Sequence, residues 1–310
     1  AMSKIAFIFP GQGAQVCGMG QDFYEQTETG RKVFDTASEI LGFSMPELCF
    51  EKNDRLDITE YTQPAMVTAS LAMMKVLMEQ TGIKPDAAAG LSLGEYPAMA
   101  AAGVMSEEDA IRTVRERGIL MQEAVPAGIG AMAAVLAMDA EEIEKVIAPI
   151  EGVQIANYNC PGQIVISGKK EAVDEAAEKL KEAGAKRVIP LNVSGPFHST
   201  MLKGAGEKLG EELKHVTVHT PEIPYVANVT ADYVTKEEDI KPLLEKQVSS
   251  SVRWQQTIER LIADGADKFV EIGPGKTLTG FMRKINRDVA AVNIDKYEDF
   301  EKFVAESKNK

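Results

Sequence analysis

The sequence predicts an α/β protein: a large domain with a mostly parallel sheet, interrupted by a small inserted α+β subdomain. Three observations point there. Short apolar runs alternate with helix-length segments through the first 125 residues, the order that builds parallel sheets. One strand–helix junction carries Gly90-Leu91-Ser92-Leu93-Gly94, a Gly-x-Ser-x-Gly turn that acquires meaning in that context. The middle of the chain reads strand, helix, strand, strand, helix, strand, a ferredoxin-like order. The large domain is therefore assigned to residues 2–126 and 195–310, and the subdomain to 127–194.

Residues 4–9 form an apolar strand that stops at Pro10-Gly11-Gln12-Gly13. Helical patterns cover about 21–41 and 63–80. Ala87-Ala88-Ala89 is a short strand leading into the Ser92 turn, and 95–104 is an Ala-rich helix. Ser106-Glu107-Glu108-Asp109 starts a helix over 110–124, because a capping serine and early acids suit a helix N-terminus. The subdomain opens with the Pro126–Gly130 loop. It continues with strands at 132–138, 153–156, 163–167 and 186–193, and helices at 140–150 and 170–182. Later come a strand-like segment around His215 and His219, a strand at 268–272 closed by Gly273-Pro274-Gly275, a helix from Lys276 and a charged surface helix after Tyr297.

A chain of 310 residues can bury a sizeable core, roughly 75% of its unfolded surface. Its net charge of -13 argues against nucleic acid as a partner, since such binders present basic patches. The first apolar run stops at Pro10, too short for a signal-peptide core or a membrane span. Three scattered cysteines imply no disulfide framework, so a cytoplasmic protein without membrane association is expected.

A serine held out at the tip of such a turn needs a base, and histidine is the usual one near neutral pH. Of the three histidines, His198 follows the tight Gly195-Pro196-Phe197 loop after a strand, whereas His215 and His219 lack any cysteine or carboxylate at ligand spacing. No metal site is expected. The elbow supplies one oxyanion donor, the N–H of Leu93; the Gly11-Gln12-Gly13 loop is placed to supply a second. That loop is not a dinucleotide fingerprint, because Val16 occupies the third glycine position, and no Walker lysine follows. Arg112, Arg115 and Arg117 share one helix, and the sequence does not choose among them.

Together these stretches resemble the malonyl-CoA:acyl carrier protein transacylase family of acyltransferases. The matching residues are Phe9 to Gln15, Gly90 to Tyr96, Arg117-Gly118 with Met121-Gln122, Asn157 to Gln163, Gly195 to Ser199 and Glu271 to Gly275, in family order over nearly the whole chain. The resemblance implies a hydrolase-like α/β domain with a ferredoxin-like insert. It makes Ser92 the nucleophile, His198 the base, and the N–H groups of Gln12 and Leu93 the oxyanion hole. It makes Arg117 the clamp for a substrate carboxylate, and a backbone carbonyl near Gln247 the acceptor of the other imidazole N–H, which would account for the missing Asp. Asn159 and Gln163 would border the pocket. Implied substrates are malonyl-CoA and the phosphopantetheine thiol of acyl carrier protein, in fatty acid synthesis, with no metal or redox cofactor.

Leu91 stands where many members carry His, and its side chain is not needed for the chemistry; Pro196 stands where Ala is common. Phe197 is kept and would crowd an α-methyl branch, favouring malonyl over methylmalonyl. Because the carrier protein is acidic in this family, a basic rim is expected, with Lys186, Arg187, Lys203 and Arg283 as candidates. A serine hydrolase would share the elbow and base, but has no need of a buried arginine; an inert carrier-docking module would need none of the three.

Overall fold

A computed structural model describes residues 4–193 and 195–308. The outer ends of the predicted large domain and Ser194, the last residue of the predicted subdomain, lie outside these. The first strand, β1 (Ile5–Phe9), pairs in parallel with β2 (Ala87–Gly90) on one side and β10 (Lys268–Ile272) on the other. Beyond β10 lies β11 (Ala290–Ile294), also parallel. β1 reads Ile-Ala-Phe-Ile-Phe because both faces of a parallel sheet are covered. All four strands run the same way, so the loops after Phe9, Gly90 and Ile272 emerge at one edge. Open α/β sheets bind ligands at that edge.

Helices pack on this sheet. The predicted helix over 21–41 is two helices, α1 (Gln21–Gln26) and α2 (Glu28–Leu41). The break falls at Thr27, which leaves the helical region and caps α2 by accepting the Gly30 N–H. α3 (Met45–Phe50) was not foreseen. α4 spans Thr59–Thr81 rather than starting at 63, with Pro64 inside it. A proline there cannot bond the carbonyl four residues back; Arg115 donates to that Glu60 oxygen instead, at 2.8 Å. α5 (Glu95–Ala101) and α6 (Glu107–Glu123) follow the elbow, and Ser106 caps α6 by accepting the Asp109 N–H.

The second sheet contains β3 (Gly130–Leu136), β4 (Val153–Cys160), β5 (Gln163–Lys169) and β6 (Arg187–Pro190), in antiparallel order β6-β3-β5-β4. Helices α7 (Ala140–Ile147) and α8 (Lys170–Glu182) join it in a separate core built around Val135, Ile143, Ile155, Ile166 and Leu180. β4 runs four residues beyond the predicted strand end, with irregular register at Ile155/Asn157 and Tyr158/Cys160. The strand predicted over 186–193 is shorter, at Arg187–Pro190.

The stretch between the His198 loop and β10 holds α9 (Lys203–Leu213), β7 (Val226–Ala227), β8 (Asp232–Tyr233), α10 (Glu237–Gln247), β9 (Val252–Arg253) and α11 (Trp254–Ala263). β9 adds to the second sheet, in parallel with β4 through Asn157 and Tyr158. His215 and His219 are not in a strand. His215 sits in the turn after α9, and the His219 N–H bonds the Val104 carbonyl. α12 (Thr277–Ile285) and α13 (Tyr297–Lys308) complete the chain. No helix among the described residues is long and apolar enough to cross a membrane.

Candidate active site

The elbow depends on two glycines. A Cβ on Gly90 would lie 1.8 Å from the Gly94 carbonyl oxygen, and one on Gly94 would lie 2.3 Å from the Phe9 oxygen. Only bare backbone lets the turn close against β1. Between them Ser92 has φ +56°, a left-handed conformation unfavourable for any residue but glycine.

His198 also has a positive φ, +57°, and is buried. Its Nε2 lies 2.8 Å from Ser92 Oγ, and its Nδ1 lies 2.8 Å from the Gln247 carbonyl oxygen. A carbonyl only accepts, so Nδ1 carries the proton and Nε2 is free to take the proton of Ser92. The Gln154 amide holds the loop on both sides: its nitrogen donates to the His198 carbonyl and its oxygen accepts the Thr200 N–H.

Arg117 is 1% exposed. Its Nη1 donates to Gln63 Oε1 at 2.7 Å, and its Nη2 donates to Ser92 Oγ at 3.2 Å and to Gln247 Oε1 at 3.1 Å. Its Nε–H, buried, has no hydrogen-bond partner. The guanidinium stacks 5.8 Å from the centre of the Tyr96 ring. The other two arginines of the helix are separated from it by environment: Arg112 is exposed and paired with Asp109, while Arg115 bonds the Glu60 carbonyl and lies over Tyr61. Gln247 contributes both ends. Its carbonyl faces His198, and its side-chain amide donates to the Ser92 carbonyl at 2.9 Å.

A cavity of about 720 Å³ opens onto this centre, lined among others by Gln12, Ser92, Asn159, Gln163, Phe197 and His198. Leu93, Arg117 and Gln247 are not among the lining residues, but Arg117 reaches Ser92 Oγ, which faces the cavity, at 3.2 Å. Asn159 Oδ1 and Gln122 Oε1, on residues of that wall, are buried without partners. Gln12 is fixed through its side chain, which donates to Thr59 Oγ1 at 2.8 Å. Lys186, Arg187, Lys203 and Arg283 are all exposed, and none lines the cavity.

Burial and the nearby Arg117 charge push His198 down to about 4, so its imidazole is neutral over the physiological range. Two buried residues without a sequence-level assignment complete the centre. Glu95, raised to about 7 by burial, accepts the Asn228 N–H at 2.8 Å and the Gln247 amide at 3.3 Å. Asn228 accepts the Ser92 N–H at 2.7 Å. Glu95 had a readable signal, as the one charged residue of an otherwise apolar helix; Asn228 lies in a stretch without a motif.

The acyl transferase domain family matches residues 6–298. The chain belongs to this acyl transferase family. A malonyl CoA-acyl carrier protein transacylase of Bacillus subtilis (strain 168) is 50% identical over 305 residues, covering 97% of this chain and 96% of the relative. The crystal structure of a malonyl CoA-acyl carrier protein transacylase from Clostridium perfringens ATCC 13124 is similar at TM-score 0.95 and 42% identity, covering 99% of this chain and 98% of the other. A malonyl-transacylase solved in complex with a type II PKS acyl-carrier protein is 38% identical at TM-score 0.95, covering 98% and 100%.

A base must be neutral to accept a proton, and His198 is held neutral well below its ordinary value. As pH falls, kcat/KM should therefore stay level through 6.5, the unperturbed histidine value, and drop only toward about 4. A pH–rate profile of the free enzyme checks this; an acid limb centred at 6.5 or above that is unmoved by Glu95→Gln, which removes the carboxyl raised to about 7, would contradict it.

Proposed function

We propose that this protein moves the malonyl group from malonyl-CoA to the phosphopantetheine thiol of an acyl carrier protein, supplying fatty acid synthesis, through a malonyl ester on Ser92. The observation that carries the reading is the meeting at Ser92 Oγ of a neutral histidine nitrogen at 2.8 Å and a buried guanidinium nitrogen at 3.2 Å. The histidine makes the oxygen a nucleophile. The guanidinium supports negative charge, and a malonyl carboxylate would take over donors that Arg117 now gives to the neutral oxygens of Gln63, Gln247 and Ser92, a stronger, charge-assisted pairing.

In the first half-reaction Ser92 Oγ attacks the thioester carbonyl while its proton passes to His198 Nε2. The oxyanion is assigned to the backbone N–H groups of Gln12 and Leu93. The tetrahedral intermediate collapses, the C–S bond breaks, and coenzyme A leaves as a thiol carrying the proton from His198. In the second half the carrier thiol gives its proton to His198 and its sulfur attacks the ester carbonyl. The C–O bond to Ser92 breaks and the serine recovers its proton. This is ping-pong covalent catalysis. The chemistry calls for no metal or redox group. The Gln247 carbonyl orients the imidazole throughout, supported by its 2.8 Å contact with Nδ1.

Phe197, on the cavity wall, is assigned to the acyl end of the pocket, where it disfavours an α-methyl branch. Asn159 and Gln163 are assigned to substrate contact, supported by their place on the same wall and the unpartnered Asn159 oxygen. We retain the division into a large domain of 2–126 with 195–310 and a small one of 127–194; the separate core of the second sheet supports it. A cytoplasmic setting suits the three free cysteines and a coenzyme A substrate.

Two variants test the reading by steady-state transfer. Ser92→Ala should lose nearly all malonyl transfer, about 10⁴-fold or more by analogy with other nucleophile deletions; retained turnover would sink the assignment. Arg117→Ala should lower malonyl transfer much more than acetyl transfer, because only malonyl brings a carboxylate. Equal losses for both acyl groups would remove Arg117 from the clamp role.

A further inference from the structure

We propose that Asn228 is a positioning residue for acyl transfer, holding the Ser92 elbow in its left-handed conformation and tying it to the segment that orients His198. The proposal rests on the acyl-transfer reading above.

Asn228 is fully buried and follows directly on β7. Each of its polar groups is engaged. Its side-chain oxygen accepts the Ser92 N–H at 2.7 Å and the Gln247 amide at 3.3 Å. Its side-chain nitrogen donates to the Gly90 carbonyl at 2.7 Å. Its backbone N–H donates to Glu95, and its carbonyl accepts the Arg253 N–H at 3.0 Å.

The side chain thus grips the residues on both sides of Leu91, where the strand enters the turn. Leu91 between them is extended, at φ −88° and ψ +116°, so the amide fixes the peptide group that enters the turn at Ser92, while the Gln247 amide it meets donates to the Ser92 carbonyl on the far side. Ser92 at φ +56° sits in a conformation that persists only when its surroundings over-determine it, and this amide is one such restraint. The same oxygen meets the Gln247 amide, whose residue carries the carbonyl that accepts from His198. The Arg253 contact reaches β9, paired with β4 beside the cavity wall. Asn228 touches neither Ser92 Oγ nor the cavity. It acts on the nucleophile through the backbone.

Removing such a residue should slow the chemical step without weakening substrate binding. The test measures malonyl transfer from malonyl-CoA to holo carrier protein for wild type, Asn228→Ala and Asn228→Ser, whose hydroxyl is too short to span Ser92 and Gly90. Thermal melts report the folded fraction. The expected result is kcat per folded molecule lower by about a hundredfold, as for a misplaced reacting group, with KM for malonyl-CoA within about twofold. The rate of malonyl adduct formation in a single turnover should fall in parallel. A merely structural role would lower the melting temperature and leave kcat per folded molecule unchanged, and that outcome overturns the proposal. So does a raised KM at wild-type kcat. If Asn228→Ala does not fold, Asn228→Ser decides alone by the same split. A wild-type protein that forms no malonyl adduct overturns the acyl-transfer reading and this inference with it, whereas adduct formation at equal rates in wild type and variants overturns this inference only.

Discussion

A guanidinium sealed inside the protein is the constraint around which the site is built. Arg117 is 1% exposed, and stripping such a charge of water costs on the order of several kcal/mol. The usual remedy is a bonded carboxylate. Here the bonded oxygens are neutral: Gln63 Oε1, Gln247 Oε1 and Ser92 Oγ. Glu95 acts on the charge through space, and burial works against its own ionisation. An arginine so placed is electrostatically incomplete. In the proposed reaction the free carboxylate of the malonyl group completes it, so specificity and a share of substrate binding would come from one unsatisfied charge.

The same charge shapes the base. Burial and Arg117 together keep His198 neutral, as a proton acceptor must be. An aspartate on Nδ1 would stabilise the protonated ring, and it would also offer Arg117 a permanent partner in place of the substrate. A peptide carbonyl avoids both: the Gln247 oxygen fixes the tautomer at 2.8 Å and adds no charge. Gln247 also accepts from Arg117 and donates to the Ser92 carbonyl. One residue at the end of α10 therefore ties nucleophile, base and guanidinium together, and Asn228 and Glu95 brace it from behind.

What could be read from the sequence were features with a local cause. The elbow announced itself because two glycines must pack against backbone at Gly94 and Phe9, and the α6 start because Ser106 caps it. The β-α-β-β-α-β order of the middle segment reappears as the sheet order β6-β3-β5-β4. Features with a distant cause were not legible. The two-residue strand β9 exists only by pairing with β4. Proline normally marks a first helical turn, yet α4 begins at Thr59 and passes through Pro64, with a side chain from another helix taking the orphaned carbonyl. Three arginines on α6 look alike until burial separates them. Gln247 entered only through family resemblance, because its working atom is a backbone oxygen that no residue type specifies. Asn228 was missed for a related reason: its value lies in partners 136 and 138 positions away.

Intact-protein mass spectrometry after brief incubation with malonyl-CoA, followed by peptide mapping, tests the central claim most directly. The account predicts one malonyl adduct, on the peptide carrying Ser92, discharged when holo acyl carrier protein is added. Free malonate accumulating without an adduct, or an adduct on another residue, would contradict it.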